Sequence, residues 1–317
     1  MKRILVTGAA GQIGSELTLA LRERYGRDNV VAGINRTQPN PELRDSGPFE
    51  TVNCTDATAL AGVVKKYNID SIIHLAAILS AVAEAKPALA WQVNINGLYN
   101  VLEVARERKC AVFTPSSIGA FGLSTPLDNT PQDTIQRPGT MYGVTKVSGE
   151  LLCDYYYKRF GVDTRGVRYP GIISNVTLPG GGTTDYAVEI YYEAIKNKKY
   201  TCYIAKGTFL DMMYMPDAIN ACVDLMEADP SKLKHRNAFN VTAMSFDPEI
   251  IAAEIRKHIP GFVMDYKVDP VRQGIAESWP NKMDDSCARK EWGWKPEYDL
   301  PTMTKDMIQV LTKKLKK

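Results

Sequence analysis

Apolar and polar positions fall into two alternating rhythms over the first half of the chain. Arg3–Thr7 is an apolar run that ends in a glycine cluster, and Gly14–Arg24 then places Leu17, Ala20 and Leu21 at the spacing of a buried helix face. Asn29–Ala32, Phe49–Asn53, Ser71–Ala76, Ala111–Pro115 and Thr164–Tyr169 read as further short strands. Between them the spacing predicts helices over Ala57–Tyr67, with Leu60, Val63 and Val64 on one face, and over Trp91–Arg106 and Tyr142–Lys158. Strand and helix in regular alternation predict an α/β fold with a doubly wound parallel sheet. Beyond Pro170 the rhythm loosens. Pro179-Gly180-Gly181-Gly182 punctuates the chain before a helix over Asp185–Lys196, and the C-terminal stretch mixes short strands, helices and prolines. The expected division is a sheet domain over residues 1–170, with parts of 205–240 returning to it. Residues 171–204 and 241–317 are expected to form a smaller mixed α/β lobe over the carboxyl edge of the sheet.

Composition narrows the partners. With 317 residues and 44% hydrophobic content the chain can bury a sizeable core. The 39 Lys and Arg against 36 Asp and Glu leave a formal charge of +3, which implies neither nucleic acid nor an anionic membrane as partner. Lys313–Lys317 reads as a solvated helix terminus. No apolar run is long enough for a membrane span, and Met1–Val6 leads into a strand without the pattern of a signal peptide. Six scattered cysteines without a C-x-x-C pair, and three histidines far apart in sequence, predict neither a disulfide framework nor a metal site. A reducing, cytoplasmic setting is the expectation.

The chemistry starts at Gly8-Ala9-Ala10-Gly11-Gln12-Ile13-Gly14. Glycines at this spacing, between a first strand and a first helix, let the backbone turn tightly and approach a pyrophosphate at the helix N-terminus. A Rossmann-type dinucleotide site follows. About twenty residues on, an acid is expected to hold the ribose 2′-hydroxyl of NAD. Here the second strand ends Ala32-Gly33-Ile34-Asn35-Arg36 without one. Asn35 can hydrogen-bond ribose hydroxyls and Arg36 can receive a 2′-phosphate, so the residues alone leave NAD and NADP both open.

Tyr142 and Lys146 stand four apart, one turn apart on one face of a predicted helix. A free phenol ionises near pH 10, and a neighbouring cation favours the phenolate, so such a pair can take the proton of an alcohol as hydride leaves its carbon. Ser116-Ser117 sits at the carboxyl end of the fifth strand, where a hydroxyl can bond the reacting oxygen.

Gly8/Gly11/Gly14, His74-Leu75-Ala76-Ala77, Ser116-Ser117 with Phe121-Gly122, Tyr142/Lys146 and Trp292-Gly293-Trp294-Lys295-Pro296 together resemble the extended short-chain dehydrogenase/reductase superfamily over essentially the whole chain. Leu79-Ser80, Arg168–Ser174, Gly180–Ala187, Met212–Asp217 and Ser278-Trp279-Pro280 further resemble its L-threonine 3-dehydrogenases. The resemblance implies Ser117, Tyr142 and Lys146 as the catalytic triad, NAD as cofactor and L-threonine as the small-molecule substrate. It implies cofactor contacts from Gly8, Gly11, Gln12, Ile13, Gly14, Asn35, Arg36, Asn53, Cys54, Leu75, Ala76, Ala77, Asn94, Tyr142, Lys146 and Pro170. The amino-acid pocket would draw on Ser80, Ser117, Tyr142, Gly182, Thr183, Thr184 and Trp279.

Two carboxylates usual in the family, one near Ile34 and one where Asn53 stands, are missing from the adenosine side. His74 is expected to be structural. Asn94 is expected either to orient Lys146 through a water or to anchor its helix to a loop. Trp279 is expected to line the pocket or simply to pack the lobe. A nucleotide-sugar epimerase or dehydratase on the same scaffold is the alternative activity, although Ile118-Gly119 after Ser117 lacks the acid that dehydration needs. A cofactor-sensing protein without catalysis is the alternative outside enzymes. A homodimer is expected from apolar residues on two helices, including Leu98, Leu102, Leu151 and Leu152.

Overall fold

Short strands buried on both sides need no polar alternation, and the N-terminal strands have none. β1 (Ile4–Thr7) and β2 (Val30–Ile34) are buried at every position, as parallel strands covered by helices on both faces should be. The computed structural model describes residues 1–178, 180 and 182–316; Pro179 and Gly181 of the Pro-Gly-Gly-Gly stretch and Lys317 lie outside the described residues. Along the chain β1 leads to α1 (Gln12–Tyr25), β2 to α2 (Pro41–Asp45), β3 (Phe49–Thr51) to α3 (Ala57–Lys66), and β4 (Ser71–His74) to α4 (Ser80–Ala85) and α5 (Pro87–Ala90). A π-helical stretch, Trp91–Asn96, runs into α6 (Gly97–Arg108), and β5 (Ala111–Phe113) and β6 (Ser116–Ser117) precede the long α7 (Met141–Phe160). The sheet runs β3-β2-β1-β4-β5-β7, with β7 at Thr164–Arg165, and all its pairings are parallel.

The period of two along each strand divides the core. Leu5, Val31, Ile72 and Val112 face one layer with Leu60, Leu102 and Cys153, whereas Ile4, Val6, Ala32 and Ile73 face the other with Leu17, Leu21 and Ala218. Each fully buried aliphatic side chain here contributes about 1.5–3 kcal/mol.

One expected strand becomes two. Thr164–Tyr169 breaks at Gly166, whose N–H turns to the Arg236 carbonyl and whose carbonyl accepts the Phe239 N–H, and where a Cβ would lie 2.4 Å from the carbonyl oxygen of Thr114. β7 pairs with β5, while β8 (Val167–Tyr169) crosses to β6. The chain continues through β9 (Gly171–Ile173), α8 (Tyr186–Asn197), β10 (Lys199–Cys202), β11 (Leu210–Tyr214), α9 (Met215–Glu227), β12 (Phe239–Asn240) and β13 (Met244–Phe246). It ends in α10 (Pro248–His258), β14 (Val263–Tyr266), α11 (Pro270–Glu277), α12 (Ser286–Trp292) and α13 (Leu300–Leu315). Small sheets β12-β8-β6, β13-β11-β9 and β10-β14 carry this half. A third core forms around Tyr186, Tyr191, Phe246, Trp279 and Met307. Ala288 and Trp294, expected with the lobe, pack instead into the core beneath the main sheet.

The expected dimer residues need correction. Leu98 and Leu102 are 3% and 0% exposed, turned into the sheet rather than outward, because α6 spends that face covering β4 and β5. Leu151 is exposed and Leu152 partly buried. Tyr99 and Tyr155 join Leu151 as exposed apolar side chains of α6 and α7. Among the described residues no helix is long and apolar enough to cross a membrane.

Candidate active site

The site grows from the carboxyl ends of β1 and β4. Thr7 pairs with Gly33 on one side and His74 on the other, and the Thr7 Oγ1 and His74 Nδ1 atoms lie 2.7 Å apart. His74 is thus a buried brace. Desolvation, with the Lys146 cation as a smaller cause, pushes its ring pKa down to about 3 and keeps it neutral. Beyond Thr7, Gly8 adopts φ +75°, and a Cβ on it would come 2.7 Å from the backbone nitrogen of Ala76. A Cβ on Gly14 would meet the Gly8 carbonyl oxygen at 2.2 Å. The turn therefore closes only with glycine, and it brings the start of α1 against the ends of two strands.

The start of α1 suits a phosphate. Gly11 occupies its N-cap without a capping side chain, and the first turn carries no acid. The opening N–H groups and the positive end of the helix dipole face outward. The Gln12 side-chain nitrogen is buried without a hydrogen-bond partner. An anionic, hydrogen-bonding ligand would satisfy both features.

Two cavities meet here. One is lined by Gly8, Gly11, Gln12, Ile13 and Gly14 at one side and by Ser117, Tyr142, Lys146 and Pro170 at the other. The second continues past Ala76 to Asn35, Arg36, Asn53 and Cys54. Gly8, Gly11, Leu75 and Ala77 line both. The result is one elongated trough across the carboxyl edge of the sheet, the shape an extended dinucleotide requires.

At its deep end Thr140 caps α7 by accepting the Gly143 N–H at 3.1 Å, so Tyr142 falls in the first turn and Lys146 one turn later. Lys146 Nζ donates to the Pro115 carbonyl at 2.7 Å and lies 5.4 Å from the Tyr142 ring centroid. Gly119 is pressed on that ring, since a Cβ there would lie 3.2 Å from its edge. Ser117 Oγ accepts the Gly119 N–H at 3.1 Å, which leaves its own proton to donate. Ser80, Thr183, Thr184 and Trp279 line the same cavity, so the structure brings the expected substrate residues to the expected triad. Gly182 is there too, but its N–H is spent on Asp185 Oδ2 at 2.5 Å. Trp279 does both things expected of it: it is 6% exposed within the lobe core and also lines the trough.

Asn94 lines neither large cavity. Its Nδ2 donates to Ile78 O at 3.1 Å and to Thr145 Oγ1 at 3.0 Å, and its Oδ1 accepts the Ile78 N–H at 2.7 Å. These bonds anchor the loop after β4 to α7, and Asn94 also lines a small cavity with Lys146. Several lining residues were not anticipated: Leu79, Ile118, Tyr169, Ile172 and Asp185. Glu150 was missed as well. It stands four residues beyond Lys146 and accepts from Ser116 Oγ, from Gln136 and, through both oxygens, from Arg168. The i, i+4 repeat Tyr142, Lys146, Glu150 was the available signal. Folding also joins His235, Cys287 and Glu291, which sequence spacing had kept apart. Glu291 there accepts the backbone N–H groups of Lys234 and His235 as well as bonding the imidazole.

Residues 4–242 match the NAD dependent epimerase/dehydratase family. The chain belongs to that family. The glycine turn, the uncapped start of α1 and the partnerless Gln12 amide fit the NAD of the family's description. An L-threonine dehydrogenase from Clostridium difficile is 63% identical, with 99% of this chain and 98% of that chain covered and a TM-score of 0.98. One from Phytophthora infestans is 50% identical over 99% of this chain and 100% of that one, with a TM-score of 0.95. A curated relative from Staphylococcus haemolyticus, an uncharacterized epimerase/dehydratase, is 58% identical over 314 residues, 99% of each chain.

Proposed function

We propose that the chain is an NAD-dependent L-threonine 3-dehydrogenase that converts L-threonine to 2-amino-3-oxobutanoate. The observation that carries this reading is one cavity lined by Ser117, Tyr142 and Lys146 together with Ser80, Thr183, Thr184 and Trp279. The likeness to the Clostridium difficile L-threonine dehydrogenase over essentially the whole of both chains supports the substrate.

Each residue has a task that its position permits. Ser117 donates to the substrate hydroxyl oxygen and fixes it beside the phenol. Tyr142 Oη takes the hydroxyl proton as the C–H bond at the β-carbon breaks and the carbonyl forms. Lys146, held by Pro115, sets a positive charge beside Tyr142 and so favours the phenolate form that accepts this proton and becomes the phenol. NAD, when bound, supplies the acceptor for the hydride. Thr183 and Thr184 offer hydroxyl and N–H donors to the substrate carboxylate at the start of a helical turn. Trp279 closes the pocket over the threonine methyl and keeps water out. Residues 1–170, with parts of 205–240 and with Ala288 and Trp294 packed beneath the sheet, act as the dinucleotide-binding unit, and most of 171–204 and 241–317 as the substrate lobe.

The test is a substrate panel followed by NADH absorbance. L-threonine should give sustained turnover, and serine, 3-hydroxybutyrate and UDP-sugars little or none. Turnover of a UDP-sugar in place of threonine would reject the reading. We also propose a homodimer that pairs α6 and α7 through Tyr99, Leu151 and Tyr155, exposed apolar side chains on adjoining helices. Sedimentation showing only monomer at micromolar concentration would refute it.

A further inference from the structure

The adenosine end of the trough has an unusual charge pattern. Among the described residues that line it, none is acidic and Arg36 is the only charged one. β2 ends at Ile34, twenty residues beyond Gly14, where a carboxylate would hold the two ribose hydroxyls of NAD. Ile34 is 2% exposed and packed into the core beside Leu43, so it offers the ribose no acceptor. Asn53, across the cavity, spends its side-chain oxygen on the Thr55 N–H at 3.1 Å. Arg36 is exposed, and among the described residues no carboxylate pairs with its guanidinium.

An acid at the end of β2 selects NAD in two ways: it accepts from the 2′-hydroxyl and it repels a 2′-phosphate. Here both effects are gone, and the one charge left has the opposite sign. A guanidinium matches a phosphate with paired N–H donors, and such charge-assisted bonds are the strong kind. We propose that this chain binds NADP as well as NAD, with Arg36 holding the 2′-phosphate. The inference rests on the dinucleotide reading of the trough and is independent of the substrate that fills its other end.

The experiment is isothermal titration of the full chain with NADP and, separately, with NAD, without threonine. The two nucleotides share every group except the 2′-phosphate, so the ratio of their dissociation constants reads the adenosine end alone. NADP should bind within about threefold of NAD or more tightly, a difference of under about 0.7 kcal/mol. Arg36→Ala should weaken NADP about tenfold more than it weakens NAD, the value of a lost charged hydrogen bond to the 2′-phosphate. Arg36→Lys should recover part of the loss. Because Arg36 is exposed, the fold should tolerate all these changes, and added salt should weaken NADP more than NAD. NADP binding more than about tenfold weaker than NAD in the unaltered chain would overturn the proposal. So would an Arg36→Ala variant that loses both nucleotides alike. Failure of both nucleotides to bind the unaltered chain would sink the dinucleotide reading itself, whatever the substrate panel shows.

Discussion

Glu150→Ala should be among the most damaging single changes outside the trough. Glu150 and Arg168 are 8% and 7% exposed at their side chains and meet as a two-pronged pair, at 3.0 Å for Nε–Oε1 and 2.8 Å for Nη2–Oε2. The carboxylate also accepts from Ser116 Oγ and from Gln136 at 2.9 Å. Removing it leaves a buried guanidinium with only neutral acceptors, Gln132 O and Asn240 Oδ1. Breaking such a pair from one side costs about 3–5 kcal/mol, against a total stability of about 5–15 kcal/mol. Urea unfolding followed by tryptophan fluorescence reads the loss directly. The double variant Glu150→Ala/Arg168→Met should recover much of it, because the uncompensated charge is then gone. Ser116 precedes Ser117 on β6, so the single variant should also lose up to about a hundredfold in kcat from misplacement of the hydroxyl. A cost below about 1 kcal/mol, the value of an exposed pair, would refute the buried-charge argument.

Gly14→Ala should cost at least about tenfold in NAD affinity by calorimetry, since its Cβ would sit 2.2 Å from the Gly8 carbonyl oxygen and the turn must move. Unchanged affinity would mean that the turn does not cradle the nucleotide. Below pH 6.5 the unfolded chain protonates His74, while the native ring stays neutral until about pH 3. Stability should therefore fall with pH in that window by about 1.4 kcal/mol per unit from this group, and be fully present above it. His74→Gln should flatten the slope measured by urea titration, and an unaltered slope would remove His74 from the account.

The parts legible in sequence were those fixed by local geometry. Continuous apolar strands, a glycine turn before a helix, and Tyr142 one turn from Lys146 each follow from a backbone period that the residues themselves display. What escaped depends on neighbours distant in sequence. The break at Gly166 comes with bonds to Arg236 and Phe239, which no reading of Thr164–Tyr169 reveals. The π-helical stretch ends at Gly97, where a Cβ would lie 2.7 Å from Cys54 Sγ. Leu98 and Leu151 look equivalent in sequence because both helices carry apolar residues on more than one face. Only the sheet decides that Leu98 is buried and Leu151 exposed.

The central claim is that Tyr142 removes the proton of the threonine hydroxyl, and the turnover of Tyr142→Phe tests it most directly. Phenylalanine keeps the ring packed on Gly119, so the fold and NAD affinity should survive, and calorimetry on the same sample checks both. Ser117→Ala should hurt less, because that hydroxyl positions the oxygen without accepting its proton. With threonine and NAD saturating, the rate of NADH formation by Tyr142→Phe should fall by about a hundredfold to ten-thousandfold, the contribution of a general base. A variant that binds NAD normally and retains more than about a tenth of the original kcat would contradict the account.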